Sequence, residues 1–314
     1  MSGQRVSVTT CVLLIVAGVV FWLVSSFAIA EAAVPAAGDA TAALRSKHAA
    51  LGRQLASNPF QRPVVLESTQ TSTNVKGDIY AVTANAFAKV NSSLGEPRVW
   101  CEILILHQNT KYCRVSSEKG APTLLMNVGK KFDQPLEDSF RLAFAWQLVE
   151  QKADYLRAEL SAESGPLSTK NYRIMLEAIP LENGSTFIHL AYEYSFGMSG
   201  KLAMQVYLGT LGRNKVGFTV TGKNGDGQPA YVDGMRGLVE RNTMRYYLAI
   251  ESFLGALAVP ERAQFEKRIN DWFNASERYP RQLHELERDE YLGMKRKEYR
   301  RQQVGVKTAE AAVG

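Results

Sequence analysis

The stretch Tyr172–Phe196, YRIMLEAIPLENGSTFIHLAYEYSF, decides the fold. Its halves carry branched and aromatic residues on either side of Asn183-Gly184, a strong hairpin signal because both central residues of a tight turn tolerate positive φ. Tyr172–Leu181 and Ser185–Phe196 are therefore predicted to pair antiparallel. Alternate side chains of a strand share a face, which puts Ile188, Leu190, Tyr192, Tyr194 and Phe196 on one side and His189, Ala191, Glu193 and Ser195 on the other. The large apolar face needs a cover.

Downstream, Met235–Leu257 supplies one. Val239, Thr243, Tyr247, Ile250, Leu254 and Leu257 recur every three or four residues, the period of a buried helix face. Upstream, Val64–Ser72 and Gly77–Thr83 read as strands around a polar link. Ala84–Leu94 has helical spacing through Phe87 and Val90, and Pro97 opens a second short helix carrying Trp100, Ile103 and Leu104. Lys111–Ser116, Thr123–Val128, Phe140–Gln151 and Ala153–Ala162 are further strands between turn clusters. After the hairpin come a helix at Lys201–Leu211, a strand at Lys215–Thr221 and the turn-rich Gly222–Pro229. Pro260 begins a helix through Phe265, Ile269, Trp272 and Phe273. Beyond Pro280, Gln282–Gln303 reads as a charged terminal helix with only Leu283, Leu286, Leu292 and Met294 to bury, so its removal is expected to leave the fold standing.

This order of elements over Val64–Leu257 resembles the START-like helix-grip fold of the SRPBCC superfamily. The resemblance implies an α+β class, with a curved antiparallel sheet wrapped around a long C-terminal helix and a cavity between them. The helix at Lys201–Leu211 and the extra C-terminal helices depart from that pattern. The segments WCEILILHQNTKYC, YLGTLGRNKVGFT and ERNTMRYYLAIESF are also similar to a group of uncharacterised exported bacterial proteins, which implies no activity.

At the other end, Val6–Ala30 has no charged residue, Arg5 precedes it, and Ala28-Ile29-Ala30 stands immediately before Glu31. A basic start, an apolar run and small residues at the −3 and −1 positions form an export signal. The reading is a signal peptide over 1–30, or an N-terminal membrane anchor if it is not cleaved, since the run can span a hydrocarbon core of roughly 30 Å. Either way the globular part is periplasmic or secreted. A leader helix and linker follow over 31–63, capped by Asp39 and carrying Leu44, Leu51 and Leu55. Then come the helix-grip-like domain over 64–258 and a helical extension over 259–314.

With Cys11 removed in the signal, Cys101 and Cys113 remain, and an even pair in an oxidising compartment reads most simply as a disulfide. Two buried thiols, or metal ligation with His107, are the alternatives. The whole chain has 37 basic and 31 acidic side chains, a mild excess concentrated in Lys295-Arg296-Lys297 and Arg300-Arg301. That run is a solvated helix face or a contact for an anionic membrane surface. No aromatic-and-basic surface suggests nucleic acid.

Catalytic motifs are missing. Gly197-Met198-Ser199-Gly200 is no nucleophile elbow, and Gly222–Gly227 lacks the oxygen ligands and closing glutamate of a calcium loop. His48 and His284 fall on solvated helices, His189 lies opposite the aromatic stripe, and His107 has only sequence neighbours for partners. Arg241 and Arg245 could meet an anionic head group, or form ion pairs within the fold. Ile188, Leu190, Tyr192, Tyr194, Met244 and Arg245 are the candidate ligand-binding residues, as cavity lining or as plain core. The reading that follows is an exported, non-enzymatic binding module for an apolar or lipid-like ligand, with no cofactor and no metal. An envelope interaction protein with a filled core is the alternative, and an enzyme of unknown class stands third.

Overall fold

The computed structural model describes residues 37–117, 120–210 and 215–311, so the stretch Val6–Ala30 lies outside the described residues. Among them, no helix is long and apolar enough to cross a membrane. The hairpin forms as its sequence requires: β7 (Thr169–Pro180) pairs antiparallel with β8 (Thr186–Phe196), bringing Ile174 opposite Tyr192 and Leu176 opposite Leu190. Only Gly184 takes positive φ, at 79°, so the turn needs one left-handed residue rather than two. The Asn183 side chain instead accepts a hydrogen bond from the Ser185 amide.

Around this hairpin an eight-stranded antiparallel sheet is built. Its strands are β1 (Val64–Gln70), β2 (Asn74–Thr83), β3 (Thr110–Ser116), β4 (Thr123–Val128), β5 (Phe140–Gln151), β6 (Leu156–Ser164), β7 and β8. The spatial order is β1-β2-β8-β7-β6-β5-β4-β3. The first and last parts of the chain thus meet at β2 and β8, and β3–β8 run as a meander away from them. Helices α2 (Phe87–Leu94) and α3 (Pro97–Leu104) make the crossover from β2 to the far edge. Above β1, β2 and β8 lies α5 (Gly234–Ala256). It comes so close at Gly77 that a Cβ there would stand 2.3 Å from Thr243 Oγ1, which explains a glycine in mid-strand. A meandering sheet gripping a long late helix is the helix-grip arrangement, here with β1 as an added edge strand.

The inner face of the sheet, α2, α3 and α5 share one core that includes Val75, Ile79, Ala158, Leu160, Ile188, Leu190 and Leu248. Helix α1 (Ala37–Ala56) lies on the opposite face, where Leu44, Leu51 and Leu55 pack on Val65, Tyr80, Tyr155, Ile179 and Phe187. The helix is already formed at Ala37, so Asp39 is within it rather than capping it. Cys101 and Cys113 form a disulfide with Cα atoms 5.2 Å apart, tying α3 to β3. Reducing it is expected to cost about 3 kcal/mol from the freed loop, read as a lower urea midpoint in the presence of reductant. An unchanged midpoint would show that the bond constrains nothing.

Two sequence expectations fail. Lys215–Thr221 is no strand of the main sheet. After α4 (Met198–Gly209) the chain makes a separate small hairpin, β9 (Val220–Lys223) with β10 (Pro229–Tyr231), because the polar turn Gly222–Pro229 closes it locally. The C-terminal region is also no loose appendage. Helix α6 (Glu261–Glu277) packs on α5. A short α7 (Pro280–Leu283) breaks the chain before α8 (Arg288–Ala311), whose Tyr291, Leu292, Met294, Lys295, Glu298 and Gln302 are buried. Counting apolar residues missed this because half of the buried face of α8 is polar and satisfied within the fold. Gln302 accepts from the Cys113 amide at 3.2 Å, and the Tyr291 hydroxyl donates to the Leu106 carbonyl at 2.8 Å.

Candidate functional site

A row of residues on α5 is only partly buried where its neighbours on the helix are buried. Leu238, Asn242 and Tyr246 are four residues apart, hence on one helix stripe, and each keeps some accessible surface while the residues beside them on α5 are buried. Tyr246 is nonetheless deep, and burial raises its hydroxyl above the usual tyrosine range. Leu238 and Tyr246 pack against the core while keeping part of their surface accessible.

The sheet presents aromatic rings to this stripe. Tyr192 meets Tyr246 edge-on, with ring centroids 5.2 Å apart. Tyr194 stacks on Tyr172 at 5.2 Å, and Tyr172 stands edge-on to Phe144 at 6.4 Å. Strand alternation carries all of these inward, since Tyr172, Tyr192 and Tyr194 are on the same face as Leu190. Trp146 on β5 adds an indole N–H that is buried without an acceptor among the described residues. Such a group is costly to leave unmade in a dry core.

Next to Tyr246 the surroundings become polar. The His107 ring lies 5.0 Å from Tyr246, and its Nδ1 accepts from the Asn109 amide at 3.2 Å. Burial, then the charges of Arg245 and Lys295, push its pKa well below the ordinary histidine value, so the imidazole is neutral. Behind Asn242, Arg245 donates to Glu285 at 2.9 Å and to the Leu283 carbonyl at 3.3 Å.

The candidate residues divide accordingly. Tyr192 and Tyr194 join the aromatic wall. Ile188, Leu190 and Met244 are in fully packed surroundings, with Met244 two residues round the helix from Tyr246. Arg245 stands on the polar side rather than against the rings. Sequence reasoning did not select Tyr172, Asn242, Tyr246, Lys131 or Glu285. Tyr172 was visible as the partner strand's inward aromatic and Asn242 and Tyr246 as one stripe of the closing helix, but Lys131 and Glu285 come from loops whose placement no periodicity encodes.

At one end of the sheet β4 hands over to β5, β6 to β7, and β8 towards α5. Phe132, Phe140, Leu167, Met198, Leu202 and Val206 come from those connections, and all are exposed, Met198 at 91%. Met198, Leu202 and Val206 form a stripe along α4. The outer face of β3–β5 also bears an open groove of about 520 Å³ between Tyr112, Arg114, Leu125 and Arg141.

On the convex face, His189 is held between Asp78 (Nε2 to Oδ1, 2.8 Å) and Glu177 (Nδ1 to Oε2, 3.1 Å) and stacks on Tyr80 at 4.4 Å. Burial opposes the imidazolium, but the hydrogen bonds to Asp78 and Glu177 outweigh it and raise the pKa above its usual value. A raised folded pKa means stability that is present below the unfolded value of about 6.5 and lost as pH climbs through the folded one. His189→Gln is therefore expected to destabilise more at pH 6 than at pH 9 in urea unfolding. Equal losses at both would show an uncharged ring.

No family model matches the chain, and no curated protein sequence matches it either. Among solved structures, it is similar to a norcoclaurine synthase point mutant of Thalictrum flavum in complex with a transition state analogue, at 14% identity over 46% of this chain and 91% of that one, with a TM-score of 0.33. It is also similar to the human StarD13 lipid transfer and protein localization domain, at 9% identity over 46% of this chain and 76% of that one, TM-score 0.27. Human STARD10 matches at 8% identity over 57% and 77%, TM-score 0.27.

Proposed function

We propose that the protein is an exported, non-enzymatic binding module that holds an apolar, lipid-like ligand between α5 and the aromatic wall of the sheet. The observation that carries this reading is the accessible stripe Leu238–Asn242–Tyr246 set deep against Tyr192. Apolar linings with a few polar groups are the usual form of such sites, and the orphaned Trp146 N–H offers the ligand a hydrogen bond. The exposed apolar residues at one end of the sheet suit an apolar ligand's entry. Export rests on Val6–Ala30 and its Ala-x-Ala ending.

A fluorescent fatty acid titrated into the purified protein tests the reading. Saturable binding is expected, together with an apolar compound in the organic extract of natively purified material. Asn242→Trp should occlude the site and weaken probe binding about tenfold. Absence of binding to the unaltered protein sinks the reading.

A second reading, a cell-envelope interaction protein with a filled core, draws support from the exposed stripe Met198, Leu202 and Val206 on α4. In that case Asn242→Trp overpacks the core and lowers the midpoint, while no probe binds. Contact with an anionic membrane through α8 has less support. Lys295 is buried on Glu298, and Arg296 and Lys297 are paired with Glu266 and Asp133, which leaves Arg300 and Arg301 to carry it.

A further inference from the structure

The outer face of the sheet has two unlike halves. On β2 and β6–β8 its charges are matched: Arg157 and Arg173 each donate to Glu159 at 2.8 Å, and His189 is held between Asp78 and Glu177. On β3–β5 they are not. Strands β3 and β4 carry no acidic residue, and β5 has only Glu150, at its far end beside Lys152. The side chains of Arg114 on β3 and Arg141 on β5 make no ion pair or hydrogen bond among the described residues. Both line the open groove of about 520 Å³, whose one acidic lining residue is Glu137.

Side-chain size makes the groove. Strand alternation puts Leu125 and Ala143 on the same face as the two arginines, Leu125 being paired with Arg114 on one side and Ala143 on the other. A small residue among long ones leaves a hollow with an apolar floor, bordered by Leu136 from the connection between β4 and β5. Helix α1 packs on β1, β2 and β7, so Arg141 and Ala143 stay exposed. The sheet edge beyond is closed. Gln302 takes the Cys113 amide at 3.2 Å, and Gly305 of α8 comes so near Tyr112 that a Cβ there would stand 2.1 Å from its hydroxyl oxygen. With that donor of β3 already taken, a guest in the groove enters from the open face rather than as an added strand.

We propose that this groove binds a small amphiphilic anion, an aromatic or short aliphatic body carrying a carboxylate or a phosphate. The body lies on Leu125, Leu136 and Ala143, and the acidic group lies between Arg114 and Arg141. The register sets the Cα atoms of these arginines two strands and two residues apart, about 12 Å by strand spacing and rise, a gap that two long side chains close from either side. A guanidinium suits the acidic group because its planar fork meets two acceptor oxygens at once and is weakly hydrated. Two cations against one carboxylate in the lining select for an anion. The groove is on the opposite face of the sheet from Tyr192, and the inference stands whether or not the interior takes a ligand.

Three probes of one shape decide it: naphthoate, naphthyl phosphate and the neutral naphthamide, titrated into the purified protein at pH 7 by fluorescence. The tighter of the two anions is expected to bind at least about tenfold more strongly than the amide, and it names the acidic group. Arg114→Gln and Arg141→Gln should each cut that preference several-fold. Ala143→Trp, which fills the hollow from the exposed face, should abolish binding of the anion while leaving the thermal midpoint and the binding of a fatty-acid probe unchanged. Equal affinity for all three probes overturns the inference, as does binding of neither anion at millimolar concentration. Anion binding that survives both the arginine and the Ala143 variants overturns it too, since the anion is then bound elsewhere.

Discussion

Glu298→Ala is expected to lower the unfolding free energy by about 3–5 kcal/mol, the cost of breaking a buried ion pair from one side. Glu298 is 1% exposed and receives Lys111 Nζ at 2.9 Å and Lys295 Nζ at 2.6 Å, both lysines being fully buried. Lys295 also donates to the carbonyls of His107 and Thr110, and Lys111 to that of Gln108. Together these bonds clamp α8 onto the turn between α3 and β3. Burial and the Lys111 charge bring Lys295 down to about 8 even with Glu298 present. A folded pKa below the unfolded value of about 10.4 means that the unfolded chain binds more protons between those limits, so this group's contribution to stability grows as pH rises through that window. Urea unfolding at pH 7 measures the effect, and Glu298→Gln isolates the charge from the side chain's volume. A loss below about 1 kcal/mol would show that the clamp does not hold the helix.

Tyr194→Ala is expected to cost about 3–5 kcal/mol, as truncating a packed aromatic does. Its ring is 2% exposed, stacked on Tyr172 and 5.8 Å from Tyr192. Tyr246→Leu should cost less, because its ring borders accessible space, yet it should change ligand affinity more. Strand alternation left Tyr194 as cavity lining or as plain core. Ring packing places it in the core, while Tyr246 keeps accessible surface. Thermal midpoints of the two variants, measured beside probe binding, test the division. Equal losses from both would mean that the stripe on α5 is packed core.

The sheet was legible because its information is local. Tyr172–Phe196 specifies a hairpin through its turn residues and an inward face through alternation, and β5 and β6 repeat the alternation. The long closing helix was legible from its period. The hairpin β9–β10 was misread because the alternation of Val216, Phe218 and Val220 does not say where a strand begins or which sheet it will join. The docking of α8 was misread because its buried face contains Lys295, Glu298 and Gln302, which composition assigns to solvent.

The amino-acid sequence by itself determined the antiparallel meander, the inward aromatic stripe and the covering helix, since each depends on neighbours a few residues apart, while it left Cys101 and Cys113 open between a disulfide, two thiols and metal ligands until the structure joined them. Tertiary structure alone decided which charges are buried and which inward residues face open space. Lys131, Arg245 and Glu285 come from a loop, a helix and a second loop far apart in the chain, and their pairing is settled by where those elements dock. Likewise Tyr246 and Met244 have the same helical setting in sequence, and only the position of the sheet makes one a lining residue and the other core.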